Sequence, residues 1–203
     1  MRLALASALL LTLAGAAVTR FVPVVDRIEV VGAVHHAPAE VARIARVAHG
    51  DPLLWITRWR VVGLDDDPWI RRARVIRHWP GTVVVTVWER EPAYREAQGD
   101  DAIVRAWDGT ALPNVGAEDR ASLPVVRGWG RDRSDEARDL LKVLRERSPL
   151  VIEYSPEGFE IALPDGTVFT PDLDALQRQW AAVERHRGGR LAVYPWGVSR
   201  THE

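Results

Sequence analysis

The sequence predicts an α+β chain: an apolar leading helix, a small β-α-α-β-β unit, and a mostly antiparallel β unit with two helices. Three observations predict it. Leu3–Val18 (LALASALLLTLAGAAV) carries no charge. Pro68–Pro92 (PWIRRARVIRHWPGTVVVTVWEREP) alternates as a β-hairpin does. Beyond Pro92, short β-branched runs are interspersed with two amphipathic helical stretches.

The apolar segment has no polar face, which argues against a buried core helix. As a helix it spans roughly 24 Å, slightly short of a ~30 Å hydrocarbon core. Two readings stay open: a membrane anchor over residues 1–20, or a leader cleaved near Ala14-Gly15-Ala16, a small-x-small pattern. Either sends residues 20–203 across a membrane.

Val22–Gly32 reads as a strand. Ala39–Ala48 reads as a helix, with Pro38 suited to its first turn and Gly50 past its end. Pro52–Leu64 is a less regular helical segment closed by Asp65-Asp66-Asp67-Pro68. In the hairpin, Ala73, Val75, Arg77 and Trp79 share one face of the first arm, Arg71–Trp79. Pro80-Gly81 is the turn, and Val83, Val85 and Val87 share a face of the second arm, Thr82–Glu89. Pro92 lacks an N–H and is expected to end that arm. Trp69, Trp79 and Trp88 are expected to cover the hairpin. The expected units are residues 23–92 and 93–203, joined near 93–100.

In the second unit Ala102–Trp107 is a strand followed by an Asp108-Gly109 turn, and Leu123–Val126 is a short strand. Ser134–Arg147 is a helix with Ser134 as its N-cap. Leu150–Tyr154, Phe159–Leu163 and Thr167–Phe169 are strands. Leu173–His186 is an amphipathic helix, and Arg190–Tyr194 is expected to be the last strand.

Composition narrows the chemistry. At 47% hydrophobic and 27% charged the chain is a folded one. A net charge of −1 supplies no overall field for nucleic acid. The lack of cysteine removes disulfides, thiolate metal sites and Cys nucleophiles. Lys142 is the one lysine among 27 basic residues, a compositional bias and not a binding signal.

Each candidate site has a plainer reading. Asp65–Asp67 lack the spacing of a calcium loop and read as a solvated turn. His35 and His36 are adjacent and point apart, and His186 ends a helix where a cation suits the dipole. Glu89 and Glu91 are a strand period apart, but Arg90 and Arg95 favour ion pairing over acid–base work. Arg71, Arg72, Arg74 and Arg77, interleaved with Trp69 and Trp79, read as a polar strand face. Trp107 and Trp196, near strand ends, are candidate docking anchors. No nucleophile triad, phosphate loop or HExxH pattern is present, so the catalytic, cofactor and metal expectations are all none.

A resemblance adds to this reading. Ile28-Glu29-Val30-Val31-Gly32, Pro68-Trp69-Ile70, Ala73-Arg74-Val75, Trp79-Pro80 and Val85-Thr86-Val87-Trp88-Glu89-Arg90-Glu91-Pro92 stand in order after a short apolar segment. That series resembles the POTRA domain of the FtsQ/DivIB cell-division family. Downstream, Trp107-Asp108-Gly109-Thr110, Leu123-Pro124-Val125-Val126 and Leu163-Pro164-Asp165-Gly166-Thr167-Val168 are similar to that family's β domain. Where this chain has Tyr194-Pro195-Trp196-Gly197 the family usually continues a strand bearing Asp or Arg.

The resemblance implies a non-catalytic, single-pass protein of the cell (inner) membrane, its bulk extracytoplasmic, at the division septum. It implies recruitment through the POTRA domain, with Trp79, Pro80, Glu89, Arg90 and Pro92 as the hairpin motif. It implies partners among the divisome, FtsB/FtsL-like small bitopic coiled-coil proteins above all, and neither nucleic acid nor a small-molecule substrate. The expected capture site is a C-terminal edge strand, Leu191, Ala192, Val193 and Tyr194, with Trp196 beyond it; unpaired backbone there accepts a partner strand. The alternatives are a POTRA-bearing polypeptide-binding component of a secretion or assembly system, and a secreted protein with a cleaved leader.

Overall fold

The structure is a computed structural model, described here over residues 23–201 except 58, 60, 61, 99, 100 and 187. The expected anchor, residues 1–20, lies outside the described residues. Among those described, no helix is long and apolar enough to cross a membrane. The chain divides into two compact units between Arg90 and Glu91.

The first unit follows the expected order. Strand β1 (Arg27–Val31) leads to α1 (Pro38–Ile44), a 3-10 turn at Leu53–Trp55 and a short α2 (Val62–Asp65). Then come β2 (Ile70–His78) and β3 (Thr82–Glu89). β3 is central: parallel to β1, with Ile28 opposite Val83, and antiparallel to β2, with Val75 opposite Val85. The β-branched face of β3 is why: Val83, Val85 and Val87 are at most 1% exposed against Val41, Ala45, Leu53, Ile56, Leu64 and Ile70. Helix α1 ends earlier than expected because Arg46 turns left-handed, φ 52°. The segment after Pro52 is not one helix; Ile56 leaves helical geometry, ψ 88°.

The second unit holds one eight-stranded sheet. Its elements are β4 (Pro92–Gln98), β5 (Asp101–Ala106), α3 (Ala117–Ser122), β6 (Val125–Gly128), α4 (Ser134–Val143) and β7 (Val151–Tyr154). They continue through β8 (Phe159–Leu163), β9 (Gly166–Thr170), α5 (Leu173–Arg185), β10 (Gly189–Tyr194) and β11 (Gly197–Thr201). The strand order is β11-β10-β9-β8-β7-β6-β4-β5. Helices α4 and α5 pack on it through Ala137, Leu140, Leu141, Leu176 and Val183, facing Val126, Ile152, Ile161, Val168, Leu191 and Val193.

Three expectations are corrected here. The sheet is mixed rather than mostly antiparallel: β4/β6, β6/β7 and β9/β10 run parallel. Helix α4 crosses over between β6 and β7, and α5 between β9 and β10, the connection that parallel neighbours require. Pro92 opens β4 instead of ending the hairpin, and residues 93–98, read as a junction, are a strand with Ala93, Tyr94 and Glu96 buried. Pro is tolerated at a first strand position. Finally, Ser134 is the first helical residue of α4, not its cap; its N–H donates to Asp132 Oδ1 at 2.9 Å, which holds that carboxyl below its ordinary value.

Candidate functional site

The expected capture strand is not an edge. Leu191, Ala192, Val193 and Tyr194 lie on β10, inside the sheet. Leu191 and Ala192 pair with Val168 and Phe169 of β9, while Ala192, Val193 and Tyr194 pair with Ser199, Val198 and Gly197 of β11. Leu191 and Val193 point into the core, 3% and 0% exposed. Both sides of the backbone at Leu191 and Ala192 are occupied, so β10 is an interior strand and not the expected edge. Pro195 and Trp196 do not stop the pairing; they are the two residues of a tight turn, after which the chain returns as β11. Pro at the first turn position is what such a turn accommodates. Gly197-Val198-Ser199-Arg200-Thr201 carries no apolar alternation, so β11 had little signal of its own beyond the Pro195-Trp196 turn.

Among the described residues the edge is therefore β11, and its register decides which groups face outward. A two-residue turn closes on a pair that exchanges both backbone bonds, so Tyr194/Gly197, Ala192/Ser199 and Arg190/Thr201 bond one another. The N–H and C=O of Val198 and Arg200 point the other way. No described residue pairs with them. At the opposite end of the sheet β5 is different. There Leu112 N–H donates to Val104 O at 2.8 Å and Ala106 N–H donates to Thr110 O at 2.9 Å, so the following loop covers the Val104–Ala106 end of that edge.

An aromatic row leads to the open edge. Phe169 and Tyr194 have ring centroids 6.0 Å apart, and Tyr194 stacks on Trp196 at 5.1 Å with 5° between planes. Trp196 is 82% exposed. Gln179 of α5 donates from Nε2 to Pro195 O at 3.2 Å, tying the turn to the helix. Trp107, the other candidate anchor, packs against the core under the Arg145 guanidinium, 5.4 Å from its ring.

The hairpin motif of the first unit proves to be an internal clasp. The Glu89 carboxylate accepts from the backbone N–H groups of Val34, His35 and His36 at 2.9, 2.6 and 3.2 Å. Arg90 donates from its guanidinium to Pro68 O and Ile70 O at 3.1 and 2.7 Å. His35 stacks on Trp69 at 3.5 Å, and His36 Nε2 lies 3.1 Å from Asp67 Oδ1 with Glu40 on its other nitrogen at 3.5 Å. Burial pulls the His36 pKa down, but the Asp67 and Glu40 carboxylates outweigh it and hold it above 6.5. Thus the β1–α1 loop, the α2–β2 turn and the end of β3 are bound into one knot. Glu89 bonds backbone rather than the arginines expected of it. Of the three hairpin tryptophans only Trp69 is buried; Trp88 lies beneath Arg72, 5.3 Å away, and Trp79 is 73% exposed at a cis Trp79-Pro80 turn. Among the described residues, no group of three His, Asp or Glu side chains is arranged to hold a metal.

Comparison with known proteins follows the same division. Residues 24–90 match the family described as POTRA domain, FtsQ-type, and the chain carries that domain. The chain is also similar to the cell division protein FtsQ of Salinibacter ruber, 32% identical over 134 residues that cover 60% of this chain and 51% of the relative. It spans about half the length of that curated relative.

Proposed function

We propose that this chain, with its FtsQ-type POTRA domain, is a non-catalytic scaffold of the bacterial division machinery, held by a single membrane segment and recruited to the septum through the POTRA unit. Its second unit captures small bitopic coiled-coil partners of the FtsB/FtsL kind by adding a partner strand to β11. The observation that carries this reading is the open edge at Val198 and Arg200 beside an exposed, stacked Trp196.

The energetics suit a tethered partner. Four outward backbone groups on Val198 and Arg200 contribute about 1 kcal/mol per bond formed. Covering the Trp196 ring adds about 4 kcal/mol at ~25 cal/mol per Å². Association costs roughly 4–15 kcal/mol, so in free solution the balance is close. Confinement of both chains to one membrane raises their effective concentration and tips it toward capture. Backbone pairing selects by register and by contact with the exposed Trp196 ring, and it needs no reacting group.

The test is septal imaging together with co-purification. The full-length chain should localise to the septum and bring down the small partners. Removal of residues 24–90 should abolish localisation while Trp196→Ala weakens capture without moving the protein. Normal septal recruitment without residues 24–90 would remove the role given to the POTRA unit. One observation favours the polypeptide-binding alternative: β1 is an open edge of the first sheet, beside an apolar groove lined by Ile28, Val30, Pro38, Ala39 and Ala42.

A further inference from the structure

Two of the most exposed tryptophans of the POTRA unit, Trp55 and Trp79, stand at one end. Pro23, the first described residue, accepts at its carbonyl the Leu53 N–H at 2.8 Å, and Val24 bridges Pro52. Gly81 at the hairpin tip accepts at its carbonyl the Asp26 N–H at 2.8 Å. A Cβ at Gly81 would stand 2.7 Å from Val24 O, so the tip can come this close only with glycine there. The Arg77 guanidinium donates to Leu54 O at 3.1 Å. The start of the unit, the 3-10 turn and the hairpin tip are therefore one surface. On it Leu54 is 55% exposed, Trp55 68% and Trp79 73%; Trp59, four residues on from Trp55, is 82% exposed.

This is also the end at which the apolar segment joins the unit. From Val18 to Pro23 the chain reaches at most about 18 Å. A unit of 24–90 is about 28 Å across, so so short a leash cannot present the far side to a bilayer. Indole suits the boundary such a leash reaches: its ring partitions from water while its N–H bonds carbonyl or headgroup oxygens. The described charges here are of both signs, Arg27 and Arg77 with Asp26 and Asp51, so the argument rests on the aromatic rings.

We propose that this end of the POTRA unit is a lipid-docking surface, with Trp55, Trp59 and Trp79 seated among the headgroups of the membrane to which the apolar segment tethers the chain. The inference rests on the tether reading of Leu3–Val18. Docking fixes the unit's tilt on the bilayer, because three points at one end define a plane.

The full-length protein reconstituted into phosphatidylcholine vesicles, with acyl chains brominated close to the carbonyl, tests it. Bromine quenches only indoles at that depth. The wild-type chain should float with the vesicles and lose part of its tryptophan emission, and the lost part should vanish in Trp55→Phe/Trp59→Phe/Trp79→Phe. Each single Trp→Phe variant should remove its own share, which guards against a misfolded triple variant. Flotation with no quenching, or quenching unchanged in the triple variant, would overturn the docking surface and leave the tether standing. A chain that fails to float would overturn both.

Discussion

The register of β11 makes a prediction with opposite outcomes at adjacent residues. Arg200 directs its N–H away from β10, so Arg200→Pro removes no bond within the sheet. It deletes one donor for an incoming strand, and the pyrrolidine ring pushes that strand away from the neighbouring acceptor. Losing one bond and leaving its partner carbonyl unsatisfied comes to about 3 kcal/mol, or on the order of 100-fold weaker capture. Ser199 directs its N–H to Ala192, so Ser199→Pro breaks the β10–β11 ladder and detaches the edge itself. Arg200→Ala keeps the N–H and should bind nearly as wild type. The assay is titration of the full-length chain with a partner's extracytoplasmic segment, alongside amide hydrogen exchange. Without partner, Val198 and Arg200 amides should exchange fast and the Ser199 amide slowly; with partner all three should be slow. Wild-type affinity in Arg200→Pro, or slow exchange at Arg200 in the free chain, would refute the reasoning.

Other perturbations report on the rest of the molecule. Glu89→Gln keeps the shape but weakens three charge-assisted bonds to residues 34–36, and should cost the POTRA unit about 2 kcal/mol, seen as a melting temperature lower by roughly 10 °C. The raised His36 pKa makes a signed prediction: its contribution to stability is fully present below 6.5 and is lost as pH rises through the elevated folded value. Denaturant midpoints across that range should fall with pH in the wild type and stay flatter in His36→Gln. Leu191→Pro should unfold the second unit rather than merely block capture, because Leu191 is 3% exposed on an interior strand; circular dichroism distinguishes the two.

What could be read from the residues alone depended on period. The Val83–Val85–Val87 alternation and the Pro-Gly turn were sufficient for the POTRA hairpin, since each has one plain structural meaning. The amphipathic stripe of Leu173–Arg185 was likewise legible, ending one residue short of expectation. β4 was hidden because Tyr94-Arg95-Glu96-Ala97 mixes charge into a buried strand: Glu96 is sheltered by the Arg105 guanidinium at 2.5 Å, a compensation a single strand does not advertise. Parallel pairing was present in the strand–helix–strand order at 125–154 and 166–194, but it was outweighed by the hairpin turns nearby. The sheet edge was placed one strand too early, because Pro195 was read for the N–H it lacks and not for the turn it favours. Glu89 and Arg90 were legible as a motif but not as a clasp, since their partners are backbone atoms distant in sequence.

The two ends of the eight-stranded sheet set its valency. At β5 the loop already occupies Val104 O and both backbone groups of Ala106, so that end of the edge is covered. At β11 one strand can be added. Two unpartnered copies joined β11 to β11 would make a closed two-fold pair, which uses up that edge on both and does not propagate through it. Partner capture and self-pairing would then draw on the same backbone, and β11 would hold one guest at a time.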